Sequence, residues 1–97
     1  MKKIAYIICN VSSLDEILAI VKQHQPDYYQ ILELLTGVLP LGDPRMNNAI
    51  WPGYSDLLLV KGNEISILEL RKSIESYNLS CPSDDEKVVF ESWIVDC

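Results

Sequence analysis

The chain has 97 residues, 48% of them hydrophobic, and a formal net charge of −6. That length makes one domain with a real but small core, burying about two-thirds of its surface on folding, and surplus apolar surface on such a domain favours oligomerisation. The acidic balance repels phosphate backbones and anionic membranes, so no nucleic acid and no membrane surface is an expected partner. The three cysteines, Cys9, Cys81 and Cys97, are odd in number and form no CxxC, which argues against a disulfide framework or a zinc knuckle. Cys9 reads as a buried small hydrophobe ahead of a ligand or nucleophile. The opening Met-Lys-Lys-Ile-Ala-Tyr-Ile-Ile-Cys-Asn has too short an apolar core for a signal peptide. No run approaches the ~18 apolar residues of a membrane span. A cytoplasmic location without membrane insertion is expected.

Residues 3–11 read as a strand with Ile4, Tyr6 and Ile8 on one face and Ala5, Ile7, Cys9 and Val11 on the other. Two apolar faces mark a central strand covered on both sides. A helix begins at Ser12 or Ser13, with Glu16 placed to complete a capping box with Ser13. Leu14, Ile17, Leu18 and Val21 then recur at helical spacing, and Pro26 ends the run. His24 falls in the polar last turn, where the negative end of the helix dipole suits it. Metal binding is the weaker reading, because there is no second histidine. Residues 28–36 form a second strand, in which Glu33 marks an edge position or a salt bridge ahead of a site carboxylate.

Residues 37–54 form a long connection holding three of the four glycines and three of the five prolines. Long connections in compact domains are uncommon and are usually functional or disordered. Val38, Leu39, Leu41, Met46, Ile50 and Trp51 make this one too apolar for a plain linker. Gly42-Asp43-Pro44 and Pro52-Gly53 are turn signals, and Asn47-Asn48 suits left-handed or Asx turns. Arg45 can grip a carboxylate or phosphate, or pair with one of the chain's own acidic side chains. Trp51 reads as a packing anchor ahead of a stacking platform. The candidate ligand- or partner-binding residues are Gly37, Gly42, Asp43, Arg45, Asn48, Trp51, Pro52 and Gly53.

Residues 55–61 form a third strand around the apolar run Leu57-Leu58-Leu59-Val60, and Gly62-Asn63 turns the chain. Asn63 caps a second helix over 64–78, with Ile67, Leu70, Ile74 and Tyr77 as its stripe, widened by Leu68. Asn78 ends it. Residues 79–86 are a polar connection whose Asp84-Asp85-Glu86 run is a solvated loop or, less favoured, a cation site. Residues 87–97 form the last strand. The order βαββαβ predicts an α+β, ferredoxin-like fold: a four-stranded antiparallel sheet, two helices on one face, and a long loop between strands 2 and 3. The other sheet face is apolar, which predicts cover by another subunit or by the long loop.

With that plan the chain resembles the PII-like family of signalling proteins over nearly its whole length. The resemblance rests on four features: Met-Lys-Lys-Ile opening a central strand, Leu14-Asp15-Glu16-Ile17 opening the first helix, Gly37 at the base of the long loop, and Trp51-Pro52 leading into Asp56-Leu57-Leu58-Leu59-Val60. It implies a homotrimer packed through its sheets. It also implies a long T-loop that changes shape to meet a protein target, and clefts between subunits for a small-molecule effector. The family's second loop Gly and Arg are Leu39 and Pro40 here, and its Lys after the returning Pro is Gly53. Its Gly-rich phosphate loop is Cys81-Pro82-Ser83-Asp84-Asp85-Glu86. Phosphate cradles need glycine N–H groups and positive charge. An adenine nucleotide is therefore the cofactor the resemblance raises and these residues argue against.

A non-enzymatic regulator is the favoured reading. A CutA-like trimer binding a metal through His24, Cys81, Cys97 or the 84–86 run shares the plan but has no ligand spacing. An ACT-type small-molecule-binding module is a further alternative. An acylphosphatase needs an Arg after the first strand, and Asn10-Val11-Ser12-Ser13 supplies none; no nucleophile–base pair is visible.

Overall fold

The computed structural model describes residues 1–95; Asp96 and Cys97, the end of the expected last strand, lie outside the described residues. Its elements are β1 (Lys2–Asn10), α1 (Leu14–Gln23), β2 (Tyr28–Leu35), β3 (Ser55–Asn63), α2 (Glu64–Ser80) and β4 (Val89–Val95). The strands form one antiparallel sheet in the order β2-β3-β1-β4. This is the ferredoxin-like plan expected from the sequence, with β1 and β3 central. β2 is an edge strand, which accounts for Glu33 as an exposed edge residue.

The period-2 alternation of a strand sends one set of β1 and β3 residues into the core. Ala5, Ile7 and Cys9 of β1 join Leu58 and Val60 of β3 there. Ile17 and Val21 of α1 and Ile67, Leu70 and Ile74 of α2 cover them. The expected helix stripes hold, except that Leu68 is 46% exposed and lies outside the core. Its stripe position is one residue past Ile67, about 100° round the helix. His24 does more than face a helix dipole: its Nε2 is hydrogen-bonded to Ser73 Oγ at 2.9 Å, tying α1 to α2.

The opposite sheet face carries Ile4, Tyr6 and Ile8, flanked across the ladders by Leu57, Leu59 and Lys61 on one side and Val89, Glu91 and Trp93 on the other, so it is apolar but for Lys61 and Glu91. Tyr6 and Trp93 stack at a tilt, with ring centroids 6.0 Å apart. Trp93 is still 44% exposed.

Several boundaries differ from expectation. β3 runs on through Gly62 and Asn63, which pair with Lys3 and Lys2 instead of turning the chain, because the β1 ladder continues opposite them, and β4 begins at Val89, after Val88 is tied to Asn78. β1 ends at Asn10, whose Oδ1 accepts from Ser12 N at 3.2 Å and caps a short 3₁₀ turn, Val11–Ser13. Ser13 takes the N-cap position of α1 but its side chain makes no cap bond, so the side-chain cap of this region is the Asn10 bond to the 3₁₀ turn. α2 runs on through Asn78 to Ser80. Asn78 then serves a second purpose: its amide donates to Val88 O (2.9 Å) and its Oδ1 accepts from Val88 N (2.8 Å), aligning the approach to β4. β2 contains a bulge between Leu32 and Leu35, where three steps match two on β3. Leu34 adopts φ +62° within it, and its N–H donates to Asp56 Oδ1 at 3.4 Å. The bulge interrupts the face alternation expected through residue 36.

Cys9 is fully buried, as expected, and its Sγ donates weakly to the Asp56 carbonyl at 3.8 Å. Burial first, and then the Asp56 charge, push its thiol from 9.0 up to about 12, with Arg45 opposing. The folded state therefore keeps this proton to higher pH than the unfolded chain. The resulting stability is complete below about pH 9 and is lost as pH rises toward 12. Denaturant unfolding at stepped pH should show a steeper loss above pH 9 for the wild type than for Cys9→Ala. Equal slopes would contradict the coupling.

Candidate functional site

The β2–β3 connection is built as two closed turns. Gly37 and Arg45 exchange a pair of backbone hydrogen bonds, Gly37 N to Arg45 O at 2.8 Å and Arg45 N to Gly37 O at 3.0 Å. This isolated bridge closes residues 38–44 into a sub-loop. Beyond it, Met46 N and Asn48 N donate to Trp51 O at 3.1 and 3.3 Å, and Asn47 N donates to Gly53 O at 2.8 Å. The Asn48 side chain accepts from Ile50 N (3.1 Å) and Trp51 N (2.7 Å). Asn47 takes a left-handed φ of +53°. Both asparagines thus do what Asn does in turns.

The first sub-loop docks on the turn at Asp84–Glu86 that precedes β4. Asp43 N donates to Asp85 Oδ1 at 2.6 Å. Gly42, at φ +84°, lies so close to that turn that a Cβ there would stand 2.5 Å from Asp85 Oδ1 and 3.1 Å from Asp85 Cα. Only glycine suits both the backbone angle and the close approach. The acidic run is therefore not simply a solvated loop. Asp85 receives the β2–β3 loop, while Asp84 pairs with Lys87 at 3.1 Å.

Arg45 stands at the centre of the junction and is only 6% exposed. Its Nε donates to Ser55 Oγ at 2.7 Å, and its Nη1 reaches the Asp85 carbonyl at 3.4 Å. Nη2 is buried without a hydrogen-bond partner among the described residues. No carboxylate of the described residues lies within 4.0 Å of the guanidinium. Of the pairings open in the sequence, the acidic side-chain partner is thus not the one made. A cleft of about 170 Å³ opens here, lined by Asn10, Asp43, Pro44, Arg45, Trp51, Pro52, Gly53 and Asp85.

The structure brings most of the predicted residues together. Gly42, Asp43 and Arg45 meet the 84–86 turn, and Trp51, Pro52 and Gly53 wall the same cleft. Gly37 acts through its backbone bridge. Asn48 lies at the distal turn and does not line the cleft. Trp51 contributes a backbone carbonyl that two amides share, while its side chain is half exposed. Asn10 and Ser55 complete the site without having been singled out, and Asp85, read in the sequence as part of a solvated loop or cation site, enters it as the loop's dock. Ser55 and Asp85 lie 10 and 40 residues from Arg45 in sequence, and no local pattern marks either as its partner.

Among the described residues no three His, Cys, Asp or Glu side chains converge as a metal site. Cys81 donates to Tyr77 O at 3.3 Å, and burial pushes its thiol up. Cys97 lies outside the described residues. No helix among the described residues is long and apolar enough to cross a membrane.

No family model and no curated protein matches the sequence. Solved structures do share its fold. CPII, a nitrogen regulatory PII-like protein from Thiomonas intermedia solved bound to ADP, AMP and bicarbonate, superposes with a TM-score of 0.71 at 13% identity, covering 95% of this chain and 87% of that one. The divalent cation tolerance protein of Thermus thermophilus gives 0.61 at 18% identity, covering 100% and 87%. CutA1 from Oryza sativa gives 0.59 at 12% identity, covering 99% and 83%. The chain has the fold common to PII-like signalling proteins and CutA1, at identities that speak for fold alone.

The Gly42 contact is the most sensitive point of the docked loop. Gly42→Ala should destabilise the protein by about 1–3 kcal/mol through the unfavourable φ and the clash with Asp85. Hydrogen exchange should quicken at Asp43 and Arg45 while the β1–β3 amides stay protected. Unchanged exchange at both loop amides would show that the docking does not depend on Gly42.

Proposed function

We propose that this chain is a non-enzymatic PII-like regulator. It works as a homotrimer and answers a small-molecule effector, or contacts a protein target, through its β2–β3 loop. The observation that carries the reading is the docking of that loop on the 84–86 turn. A mobile signalling element needs a defined resting state, and few, mostly polar contacts make one that is reversible. Here the contacts are Asp43 on Asp85, Arg45 on Ser55 and Asp85, and the Gly42 backbone packed against the turn. The second sub-loop presents apolar side chains outward, with Ile50, Trp51 and Met46 all exposed. Such a tip suits a protein surface.

The trimer is argued from the sheet. Ile4, Tyr6, Ile8, Leu57 and Leu59 form an apolar field with Trp93 at its margin, on the face the helices leave open. Burying that field against other copies gains roughly 25 cal/mol for each Å² of apolar area. Of the effectors the shared fold suggests, an adenine nucleotide fits least well, because Asp43 and Asp85 line the cleft and would repel a polyphosphate. A CutA-like metal-binding role draws on the fold alone.

Light scattering should give about three times the 11.0 kDa chain mass. Trp93→Glu should lower the mass by placing a charge in the apolar field. A thermal-shift series with ADP, ATP, AMP, 2-oxoglutarate, bicarbonate and divalent cations should then show at least one saturable rise in melting temperature. A monomeric wild type would overturn the trimer, and a trimer indifferent to every small molecule would leave a protein target as the loop's only business.

A further inference from the structure

We propose that the bulge in β2 is the hinge of the β2–β3 loop. The loop docks when β2 pairs in its bulged register, held by Asp56, and undocks when β2 slips to a straight register one residue away. The inference rests on the regulatory reading above for its signalling consequence, and on the strand pairing for the hinge itself.

β2 pairs one-to-one with β3 from Tyr28 opposite Lys61 to Leu32 opposite Leu57, and resumes with Leu35 opposite Ser55. Glu33 and Leu34 therefore share the place opposite Asp56. Leu34 holds φ +62° there, an angle that is costly for a bulky L-residue. Its side chain is 59% exposed, so packing offsets little of that cost. Its N–H on Asp56 Oδ1, at 3.4 Å, holds the backbone in place. Asp56 is buried and has no ion-pair partner among the described residues. The straight register opposes a different cost to this strain. Without the bulge, Glu33 would pair with Asp56 and Leu34 with Ser55. Asp56 shares the core side of β3 with Leu58 and Val60. The Glu33 carboxylate would then stand directly across from a buried carboxylate, and like charges facing each other across a ladder repel. Backbone strain favours the straight register, while the Asp56 hydrogen bond and this repulsion favour the bulge.

Ser55 couples the bulge to the dock. It lies opposite Leu35 on one side and Asn10 on the other, and its Oγ accepts from Arg45 Nε at 2.7 Å. Arg45 in turn exchanges its two backbone bonds with Gly37. Leu35 on Ser55 and Gly37 on Arg45 are thus set in a single register. A slip that brings Leu34 to Ser55 carries Gly37 about 3.3 Å along the strand, past Arg45. The bridge that closes residues 38–44 then breaks. Gly42 and Asp43 lose the closed sub-loop that presents them to Asp85. The same slip passes one residue from β2 into the connection, which is the slack a released loop needs. A one-residue change of register is a discrete two-state element, as a switch requires.

The test reads amide hydrogen exchange at Gly37, Asp43 and Arg45, with the β1–β3 ladder amides as internal reference, in the full chain without added effector. Leu34→Gly relieves the strain of the bulged register and should slow the three loop amides by about three- to tenfold. Glu33→Gln removes the repulsion that disfavours the straight register and should speed them by about two- to fivefold. Glu33 is exposed and forms no ion pair among the described residues, so a merely structural edge residue would leave the distant loop amides unmoved. Deletion of Leu34 makes β2 straight without shifting Gly37 from Arg45, and in that background Glu33→Gln should no longer speed the loop. If the deletion does not fold, the two point variants decide. Loop amides that fail to move in the stated direction in either point variant, or that Glu33→Gln speeds equally with and without Leu34, would overturn the hinge. Stated shifts in a chain that is monomeric and indifferent to the thermal-shift series would keep the hinge and remove the regulator. A trimer that responds to that series, with loop amides unmoved by Glu33→Gln and Leu34→Gly, would do the reverse.

Discussion

The structure depends on the antiparallel pairing of β1 with β3. Ala5 opposes Val60 and Ile7 opposes Leu58 in the middle of this ladder, and all four are fully buried. A one-residue slip would turn this set toward the other face and put Tyr6 and Leu59 under the helices. The ladder also sets the ends of the molecule. It continues to Asn10 opposite Ser55, so the start of the first helical turn and the return of the β2–β3 loop lie side by side. Val11 N donates to Tyr54 O at 3.2 Å just beyond it.

The loop's position follows from that end of the ladder. Arg45 can reach Ser55 because Ser55 is the first residue of β3, and it can reach Asp85 because β4 pairs with β1 on the other side. The bulge in β2 belongs to the same assembly. Leu34 holds an unfavourable left-handed backbone angle, supported by the Asp56 carboxylate, which is itself only 2% exposed. Strain of this kind persists where surrounding contacts over-determine the backbone. Here it sits where the sheet gives way to the loop.

Two features among the described residues are left uncompensated, and they differ in kind. One is an apolar sheet face with an aromatic pair at its margin, and burial against apolar surface relieves it. The other is a buried guanidinium whose Nη2 has no hydrogen-bond partner among the described residues, and an acceptor relieves it.

The βαββαβ order, the central strands and the helix stripes were legible in the sequence because they depend on periodicity. Apolar residues at spacings of two and near 3.6 report which face is buried, whatever lies opposite. Turn chemistry was legible for the same local reason at Asn47, Asn48 and Asn63. Ser13 stands at the start of the first helix as read, but its side chain makes no cap bond, and Asn10 caps the 3₁₀ turn before it, which it could do only once the pairing of β1 ended there. The candidate residues of the loop were visible as a cluster of glycines, prolines, Arg45 and Trp51. Only the tertiary structure decided what they meet. The Asp84–Glu86 run reads in sequence as a solvated turn, and it becomes the dock for Gly42 and Asp43 once the sheet order places β4 beside β1. The free edge of Arg45 was likewise invisible, because an unpaired charge is a property of everything around it. Sequence by itself determined which faces had to be buried. The fold decided which polar groups were left without partners, because partners separated by 40 residues meet only through the sheet.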